Sequence, residues 1–406
     1  MATLRRIKSE FERRYFTKYN YWRAASVKLI KGGEEYFRTL GALIEKSKHT
    51  IYLQTYIFEN DETGKWVAQK LMEASQRGVT IDIVVDGFGS YYSIPALKSW
   101  FCSSGIHFRI FAPLFSWASF SIGRRLHHKI VVFDSYFALV GGINIANKYS
   151  GWGKEQAWLD FAILVEGRVC EQIQKICERI SEKLILRPLP DIFNPASAEG
   201  NILVGLRQND RLRNKYQIAS SYIRAIRNAK SSIWIVASYF LPGAKLKRLL
   251  AKAARRGVKV KIILSGISDI PLFTKATSYL YTYLQKYGID IYQWEKSVLH
   301  AKIAVVDGTW VTVGSFNLNH LSAYASIEFN VDVFNAEFAN EVEEHLQKVV
   351  LPACRKIESP ISLGLAQKLQ LKIIYTLVRL ILRILTLFPG VPPKRNRAAY
   401  QKCASE

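Results

Sequence analysis

Two segments of the chain carry a histidine and a lysine at the same spacing, each followed by the same further residues. In both segments the histidine and lysine are two residues apart, an aspartate comes five residues after the lysine, and an asparagine closes a Gly-x-x-Asn stretch beyond it. The residues are His127, Lys129, Asp134 and Asn144 in the first segment, and His300, Lys302, Asp307 and Asn317 in the second. A single pair of this kind is commonly incidental, but an identical arrangement found twice indicates that both copies serve one purpose.

Two imidazoles and two ammonium groups brought together would form a site for a phosphodiester. Negative charge grows on the oxygens around phosphorus as a nucleophile adds, and two lysines stabilise that charge most where water is excluded. One neutral imidazole can attack phosphorus while the other, protonated, donates to the leaving alkoxide. The residue types therefore predict chemistry at phosphorus through a histidine.

Each His-x-Lys pair begins an apolar run that is typical of a β-strand. Side chains two apart on a strand share a face, so we expect the histidine and lysine of each segment to face one ligand. The glycines at 141–142 and 314 are expected to let the backbone approach that ligand, and the asparagine amides to donate to it. His128 would point to the opposite face, where we expect a packing or surface role.

The two segments close two copies of a longer repeat. A β-branched strand, a helix of three to four turns and two more strands precede each segment, which indicates an α/β architecture with a mixed or parallel sheet. The first copy runs through 50–58, 77–79, 81–87 and 105–111, and the second through 232–240, 256–258, 260–266 and 288–292. Prolines and small polar residues at 187–200 are typical of the linker between the copies.

The duplicated signature, His-x-Lys-x4-Asp followed by Gly-Gly/Ser-x-Asn, resembles that of the phospholipase D superfamily, and both copies match at every signature position. The resemblance covers about residues 27 to 350. It implies two pseudo-twofold-related α/β/α halves that share one active site, no metal or other cofactor, and a covalent phosphohistidine intermediate. We accordingly divide the chain into a basic segment at 1–26, halves at 27–195 and 196–360, and a basic amphipathic tail at 361–406.

The resemblance also implies roles for individual residues. It assigns the nucleophile to His127 and the general acid and base to His300, with the order of the two left open. Phosphate binding falls to Lys129, Lys302, Asn144 and Asn317, and orientation of the histidines to Asp160 and Glu328. Asp134 and Asp307 belong to the catalytic signature, but we interpret them mainly as supports for the strand and loop.

Within the superfamily, several stretches are similar to bacterial cardiolipin synthases of the shorter type that lacks N-terminal transmembrane helices. These stretches are 86–90, 124–129, 238–243, 269–273 and 280–284. The similarity implies transfer of a phosphatidyl group to the hydroxyl of phosphatidylglycerol. Two alternatives remain open: a phospholipase D hydrolase that uses the same residues, and a phosphodiesterase that acts on nucleic acid, which the basic charge permits.

Charge favours the lipid alternatives through its distribution. The net charge of +24 argues for an anionic partner, and residues 1–28 contribute +6 of it while residues 361–406 contribute +7. In the tail, Lys368, Lys372, Arg379 and Arg383 follow each other at steps of four, seven and four, on one side of a helix that is otherwise apolar. Such a profile is typical of a helix lying in a membrane interface, although docking on the protein's own core is the alternative.

The expected partner is therefore an anionic phospholipid membrane, with phosphatidylglycerol as a substrate and no nucleic acid; the oligomeric state stays open. No signal-peptide pattern and no uncharged apolar span of about 20 residues occurs, so we expect a peripheral protein on the cytoplasmic side of a bacterial inner membrane. Aromatic-rich stretches at 111–120 and 271–273 could dip into lipid, or could instead form a contact between the two halves.

Overall fold

A computed structural model describes residues 21–113, 115–116, 119–120, 124–152, 156–181, 200–210, 213, 215–358 and 364–387. The strands are β1 (Trp22–Ala24), β2 (Ser26–Ile30), β3 (Thr50–Thr55), β4 (Thr80–Asp86), β5 (His107–Phe111), β6 (Phe115–Ser116), β7 (Ser119–Phe120), β8 (Arg125–Leu126), β9 (Ile130–Phe133), β10 (Phe137–Gly141), β11 (Ala162–Glu166), β12 (Ile202–Asp210), β13 (Lys215–Tyr216), β14 (Ser232–Ala237), β15 (Lys259–Ile267), β16 (Asp290–Val298), β17 (Lys302–Val306), β18 (Trp310–Gly314), β19 (Ser326–Phe334) and β20 (Cys354–Lys356).

The helices alternate with these strands. They are α1 (Gly33–Lys46), α2 (Glu62–Gln76), α3 (Ile94–Cys102), α4 (Asn147–Ser150), α5 (Val169–Ser181), α6 (Gln217–Asn228), α7 (Ala244–Arg255), α8 (Pro271–Ser278), α9 (Tyr281–Gln285), α10 (His320–Tyr324), α11 (Ala336–His345) and α12 (Leu365–Leu387). Short non-α turns lie at Tyr91–Ser93, Leu346–Val350 and Leu351–Ala353.

Two sheets repeat one strand order. The first runs β2-β11-β10-β9-β3-β4-β5, and the second contains the corresponding run β12-β19-β18-β17-β14-β15-β16. In both runs the first four pairings are antiparallel and the last two are parallel, as in β3·β4 and β14·β15. The parallel part comes from the predicted strand, helix, strand units, so the α/β fold of two related halves is confirmed.

Most of the core lies in three of the four clusters of buried side chains found among the described residues. One covers the face of the first sheet that carries α1, α2 and α3, and a second covers the equivalent outer face of the second sheet. The third lies between the sheets, where α5 and α11 pack together with strand residues from both halves. Because each half buries one sheet face against the other, the halves are held face to face by apolar contact.

The C-terminal helix α12 combines the two alternatives that its sequence left open. Tyr375, Val378 and Leu382 are buried in the outer cluster of the second half, so one face of the helix docks on the core. The large apolar side chains on other faces are exposed: Leu365, Leu369, Ile373, Leu377, Leu380, Ile381 and Ile384. Within the described residues, no helix combines the length and the low charge needed to cross a membrane.

Some predictions fall outside the described residues or remain untested. Most of the linker at 187–200, most of the basic segment at 1–26 and parts of the stretch 111–120 lie outside them. Strand β1 pairs with β12 of the second sheet, although it precedes the first half in sequence. The proposed domain boundaries therefore stay predictions.

Candidate active site

The two signature histidines lie just before strands, and each is held by the other half. The sequence predicted each histidine within its strand, but β9 begins at Ile130 and β17 at Lys302. The backbone N–H of His127 instead donates to Ile327 O at 2.9 Å, and that of His300 donates to Leu159 O at 2.8 Å. Each histidine leaves its own sheet because its backbone pairs across the interface.

A carboxylate from the opposite half fixes each imidazole. His127 Nδ1 lies 2.8 Å from Glu328 Oε2, and His300 Nδ1 lies 2.7 Å from Asp160 Oδ2. Both carboxylates are fully buried. A carboxylate that accepts from Nδ1–H selects the tautomer in which Nε2 is free for chemistry. The two predicted acids are therefore brought to the predicted histidines, with the halves exchanging partners.

The two lysines are buried beside the histidines. Lys129 Nζ donates to His127 O at 2.9 Å, and Lys302 Nζ donates to His300 O. Burial lowers the pKa of Lys129 to about 7 and that of Lys302 to about 8, against the pull of the buried carboxylates. The carboxylates offset only part of the cost of burying two ammonium groups, and an anionic ligand would supply further negative charge.

Burial also shifts the titration of the histidine and carboxylate pairs. It lowers the pKa of His127, and it lowers the pKa of His300 well below the ordinary value, with the positive lysines adding to the effect. Burial raises the pKa of Asp160 to about 7. The imidazoles are thus neutral at neutral pH, and the His300 and Asp160 pair is poised to take up a proton when negative charge arrives.

The two asparagines differ in how far their amides are already engaged. Asn144 accepts from the backbone N–H of Ile57 at 3.1 Å and donates to Tyr149 Oη at 2.8 Å. Asn317 accepts from Ser238 Oγ at 3.0 Å through its oxygen. Asn144 thereby orients Tyr149, whose ring meets the His300 ring edge to face at 5.3 Å.

The signature aspartates lie at the far ends of the strands from the histidines. Asp134 accepts backbone N–H groups of residues 48–50, and Asp307 accepts those of residues 230–232. Both have left-handed backbones, with φ of 48° and 54°, which aspartate tolerates better than most residues. These contacts tie the turn after each signature strand to the start of β3 or β14, which fits a supporting role.

Protein atoms fill the space beside the signature glycines, and the expected approach of their backbone to a ligand stays a prediction. A Cβ on Gly142 would lie 2.3 Å from Asp160 Oδ1, and a Cβ on Gly314 would lie 2.3 Å from Phe329 O. Glycine is needed there because the neighbouring strand and the buried carboxylate occupy the space of a side chain. At the second-half position equivalent to Gly142, Ser315 Oγ donates to Glu328 Oε2 at 2.5 Å.

Aromatic rings around the histidines were missed by the sequence reasoning. Tyr56 contacts His127 at 5.0 Å between ring centroids, and Tyr149, Trp158 and Tyr239 contact His300 at 5.3 Å, 5.8 Å and 6.4 Å. Tyr56 and Tyr239 lie just after the equivalent strands β3 and β14. This shared position in the repeat is the one sequence signal that could have identified them as site residues.

His128 is buried and takes part in packing, as expected. Its ring lies 5.8 Å from that of Phe329, and Nδ1 lies 3.3 Å from Gln54 Oε1. Burial lowers its pKa to about 3, so it stays uncharged. One His–Lys pair from each half, facing each other with their carboxylates behind them, therefore remains as the candidate site.

Comparison with known proteins finds cardiolipin synthases among the relatives of this chain. The family model described as "Cardiolipin synthase, PLD-like domain" matches residues 40–180 and 222–350, one match in each half. The chain is 32% identical over 346 residues to cardiolipin synthase B of Salmonella typhi, and 30% identical over 348 residues to that of Escherichia coli K12. Each alignment covers 83% of both chains.

A solved structure agrees with the fold. The phosphatidylserine synthase of Haemophilus influenzae Rd KW20 matches with a TM-score of 0.74 at 13% sequence identity, over 93% of this chain and 99% of that one. At this identity the likeness concerns the fold alone. It extends over both halves.

Proposed function

Because the chain belongs to the family of phospholipase D-like cardiolipin synthases, and is therefore a phosphatidyltransferase of the phospholipase D type, we propose that it joins two phospholipids. A phosphatidyl group would pass from a donor phospholipid to the hydroxyl of phosphatidylglycerol. With phosphatidylglycerol as donor too, the products are cardiolipin and glycerol. The observation that carries the proposal is the pair of imidazoles, each backed by a carboxylate of the other half and flanked by a buried lysine.

The reaction proceeds in two displacements at phosphorus. In the first, Nε2 of His127 forms a bond to phosphorus while the bond to the headgroup oxygen breaks, and His300, which takes up a proton as the anionic donor binds, gives that proton from Nε2 to the headgroup oxygen. In the second, His300 takes the proton from the acceptor hydroxyl, whose oxygen attacks phosphorus and releases His127. The assignment is supported by the His300 and Asp160 pair, whose raised carboxyl pKa of about 7 suits a group that stores the proton.

The remaining polar residues stabilise the charge that develops. Lys129 and Lys302 pair with the equatorial oxygens, and the arriving phosphodiester restores their protonation. Asn317 donates to phosphate, while Asn144 acts mainly by placing Tyr149 against His300. Glu328 and Asp160 hold the histidine tautomers and stabilise imidazolium.

We infer that the protein acts at a membrane, peripherally and on the cytoplasmic side of the inner membrane. Support comes from α12, whose exposed side is apolar while Lys368, Lys372, Arg379 and Arg383 lie along one edge. Such a helix lies in the headgroup region with its cations near anionic lipid. A surface that binds nucleic acid needs cations but no exposed apolar side chains, so we propose no nucleic-acid partner.

The test is incubation of purified protein with phosphatidylglycerol vesicles, followed by lipid analysis. Cardiolipin and glycerol in equal amounts are expected, and none from a His127→Gln variant that folds normally. Phosphatidic acid as the sole new lipid would instead show that water, and not a lipid hydroxyl, accepts the phosphatidyl group.

A further inference from the structure

Exposed large apolar side chains are concentrated in three segments of the described chain. The first segment is the turn after β4, the second runs from the end of β15 to the start of α8, and the third is the outer side of α12. Their exposed residues are Phe88, Tyr91 and Tyr92; Ile267, Ile270 and Leu272; and the α12 residues named above. Tyr216 and Tyr324 form a ring pair beside the end of α12, where Thr386 meets His320 of α10. Val349 is the one other member of this exposed set, and it lies in another part of the fold.

The first segment borders the His127 side of the active site. Asp86, at the end of β4, accepts from the backbone N–H of Leu126 at 2.8 Å, one residue before His127. Ser90 Oγ donates to Tyr56 O at 3.1 Å, and the Tyr56 ring is the one in contact with His127. The exposed rings at 88–92 therefore stand at the rim of the site.

The second segment borders the His300 side in the equivalent position. Tyr239 donates its hydroxyl to Asp269 at 2.5 Å, and its ring contacts Phe273 at 5.2 Å. The same Tyr239 ring contacts His300 at 6.4 Å. Each rim is thus linked through one tyrosine to one histidine, and each carries exposed apolar side chains.

The third segment continues the second rim. Helix α8 starts within the rim at Pro271, and Tyr279 at its C-terminal end packs against Tyr375 of α12 with ring centroids 4.8 Å apart. Because Tyr375 points into the protein, the exposed apolar side chains on the opposite side of α12 point away from the protein. The rim and the helix therefore adjoin on one side of the second half.

We propose that these three segments form one bilayer-binding surface around the mouth of the active site, so that phospholipids reach both histidines from the membrane without leaving it. The proposal rests on the proposed function for the identity of the substrate. The occupant is a bilayer of anionic phospholipid, because the α12 cations edge the apolar row and would meet like charges in a second copy of this chain. The new element is the first-half rim at 88–92, which holds the site mouth against the bilayer while α12 supplies most of the affinity.

Point substitutions test the surface better than removal of the tail, since removal would uncover the core that Tyr375, Val378 and Leu382 fill. Three variants remove exposed groups: Tyr92→Ser in the first rim, Leu272→Ser in the second, and Ile373→Ser with Leu377→Ser in α12. The matched control is Val349→Ser, which removes an aliphatic side chain that is 57% exposed elsewhere. Thermal unfolding confirms that each variant is folded.

Two measurements separate docking from chemistry. Cosedimentation with phosphatidylglycerol vesicles gives affinity, and turnover is measured on those vesicles and on short-chain phosphatidylglycerol dissolved as monomers. We expect the α12 variant to bind vesicles at least tenfold more weakly. Tyr92→Ser should bind only a few-fold more weakly but lose vesicle turnover about tenfold, and all variants should keep wild-type turnover of the monomeric lipid.

Three outcomes would overturn the proposal: an equal loss of binding in Val349→Ser, an equal loss of turnover on monomeric lipid, or a wild-type dimer that the α12 substitutions dissociate. The last would assign the surface to a second copy of the chain. If the wild type turns over neither lipid form, the proposed function fails, and vesicle binding still decides whether the surface exists.

Discussion

The two halves share a signature but give their histidines different surroundings. The His127 side chain is 15% exposed and contacts the Tyr56 ring, whereas the His300 side chain is 8% exposed and contacts Tyr149, Trp158 and Tyr239. The more open imidazole suits attack on an incoming phosphodiester, and the more enclosed one suits retention of a proton. Duplication supplied two equivalent groups, and their neighbours made them unequal.

The largest expected effect comes from the histidines themselves. His127→Gln and His300→Gln should each abolish turnover, because one removes the proposed nucleophile and the other the proposed general acid, a group worth about 10²–10⁴-fold. They should differ in what accumulates: a labelled donor should leave phosphatidyl label on His300→Gln, with no label on His127→Gln. Quenched labelling followed by peptide mapping measures this, and label on His127→Gln alone would reverse the assigned roles.

The second-largest loss of turnover is expected from the two carboxylates that the halves exchange. Glu328→Gln and Asp160→Asn leave each imidazole a partner of similar size but remove the charge that stabilises imidazolium, so turnover should fall about 10²–10³-fold. Glu328→Gln should slow formation of the phosphohistidine, whereas Asp160→Asn should act on both proton transfers. Rapid-quench kinetics separates the steps. Normal phosphohistidine formation in Glu328→Gln would contradict the pairing across the halves.

The lysines of the two halves should differ in their effect on the pH dependence of turnover. Both must be protonated to bind an anion, and the folded pKa values of about 7 and about 8 lie below the ordinary value. In the free enzyme, kcat/KM should therefore fall as pH rises through 7 to 9, while kcat should fall only at higher pH because bound phosphate raises both pKa values. Arginine keeps its charge throughout this range.

Substitution by arginine tests which lysine sets this alkaline limb. Lys129→Arg should move the fall in kcat/KM to higher pH more than Lys302→Arg does, since Lys129 has the lower pKa. Wild-type and variant pH profiles on monomeric lipid make the comparison. An unchanged limb in both variants would mean that another group titrates.

The smallest effect on turnover is expected from the signature aspartates, whose contacts are alike in the two halves. Asp134→Asn and Asp307→Asn keep a residue that tolerates the left-handed backbone but lose one oxygen that accepts a backbone N–H. Each should lower the free energy of unfolding by about 1–2 kcal/mol while turnover per folded molecule stays within about twofold. Urea unfolding and activity measure the two effects. A large loss of turnover at unchanged stability would make these aspartates participants in the chemistry.

The local sequence pattern was sufficient to predict the repeated strands and helices and the types of side chain in the candidate site. The strand, helix, strand units and the two His–Lys pairs follow from sequence pattern and spacing, and the acids at 160 and 328 follow from the resemblance to the phospholipase D superfamily. Pairing across the halves does not, because nothing local states that Glu328 belongs to His127. The same limit explains Gly142 and Asn144, whose neighbours Asp160 and Tyr149 become visible only when the chain is folded.

The tail illustrates the limit differently. The helical periodicity of the sequence predicted one basic side on α12 and apolar residues around the rest of the helix. It could not predict which of these apolar residues are buried in the core and which are exposed to solvent. The division depends on α8 and α10, against which α12 packs, so that Tyr375 and Val378 are buried while Ile373 and Leu377 stay exposed.

The exchange of carboxylates also makes the two halves depend on each other for a complete site. A chain that has folded only its first half holds His127 without Glu328, and Asp160 without His300. Under the proposed mechanism, we expect such a chain not to cleave a phospholipid. Both pairs of histidine and carboxylate form together, when the second half docks on the first.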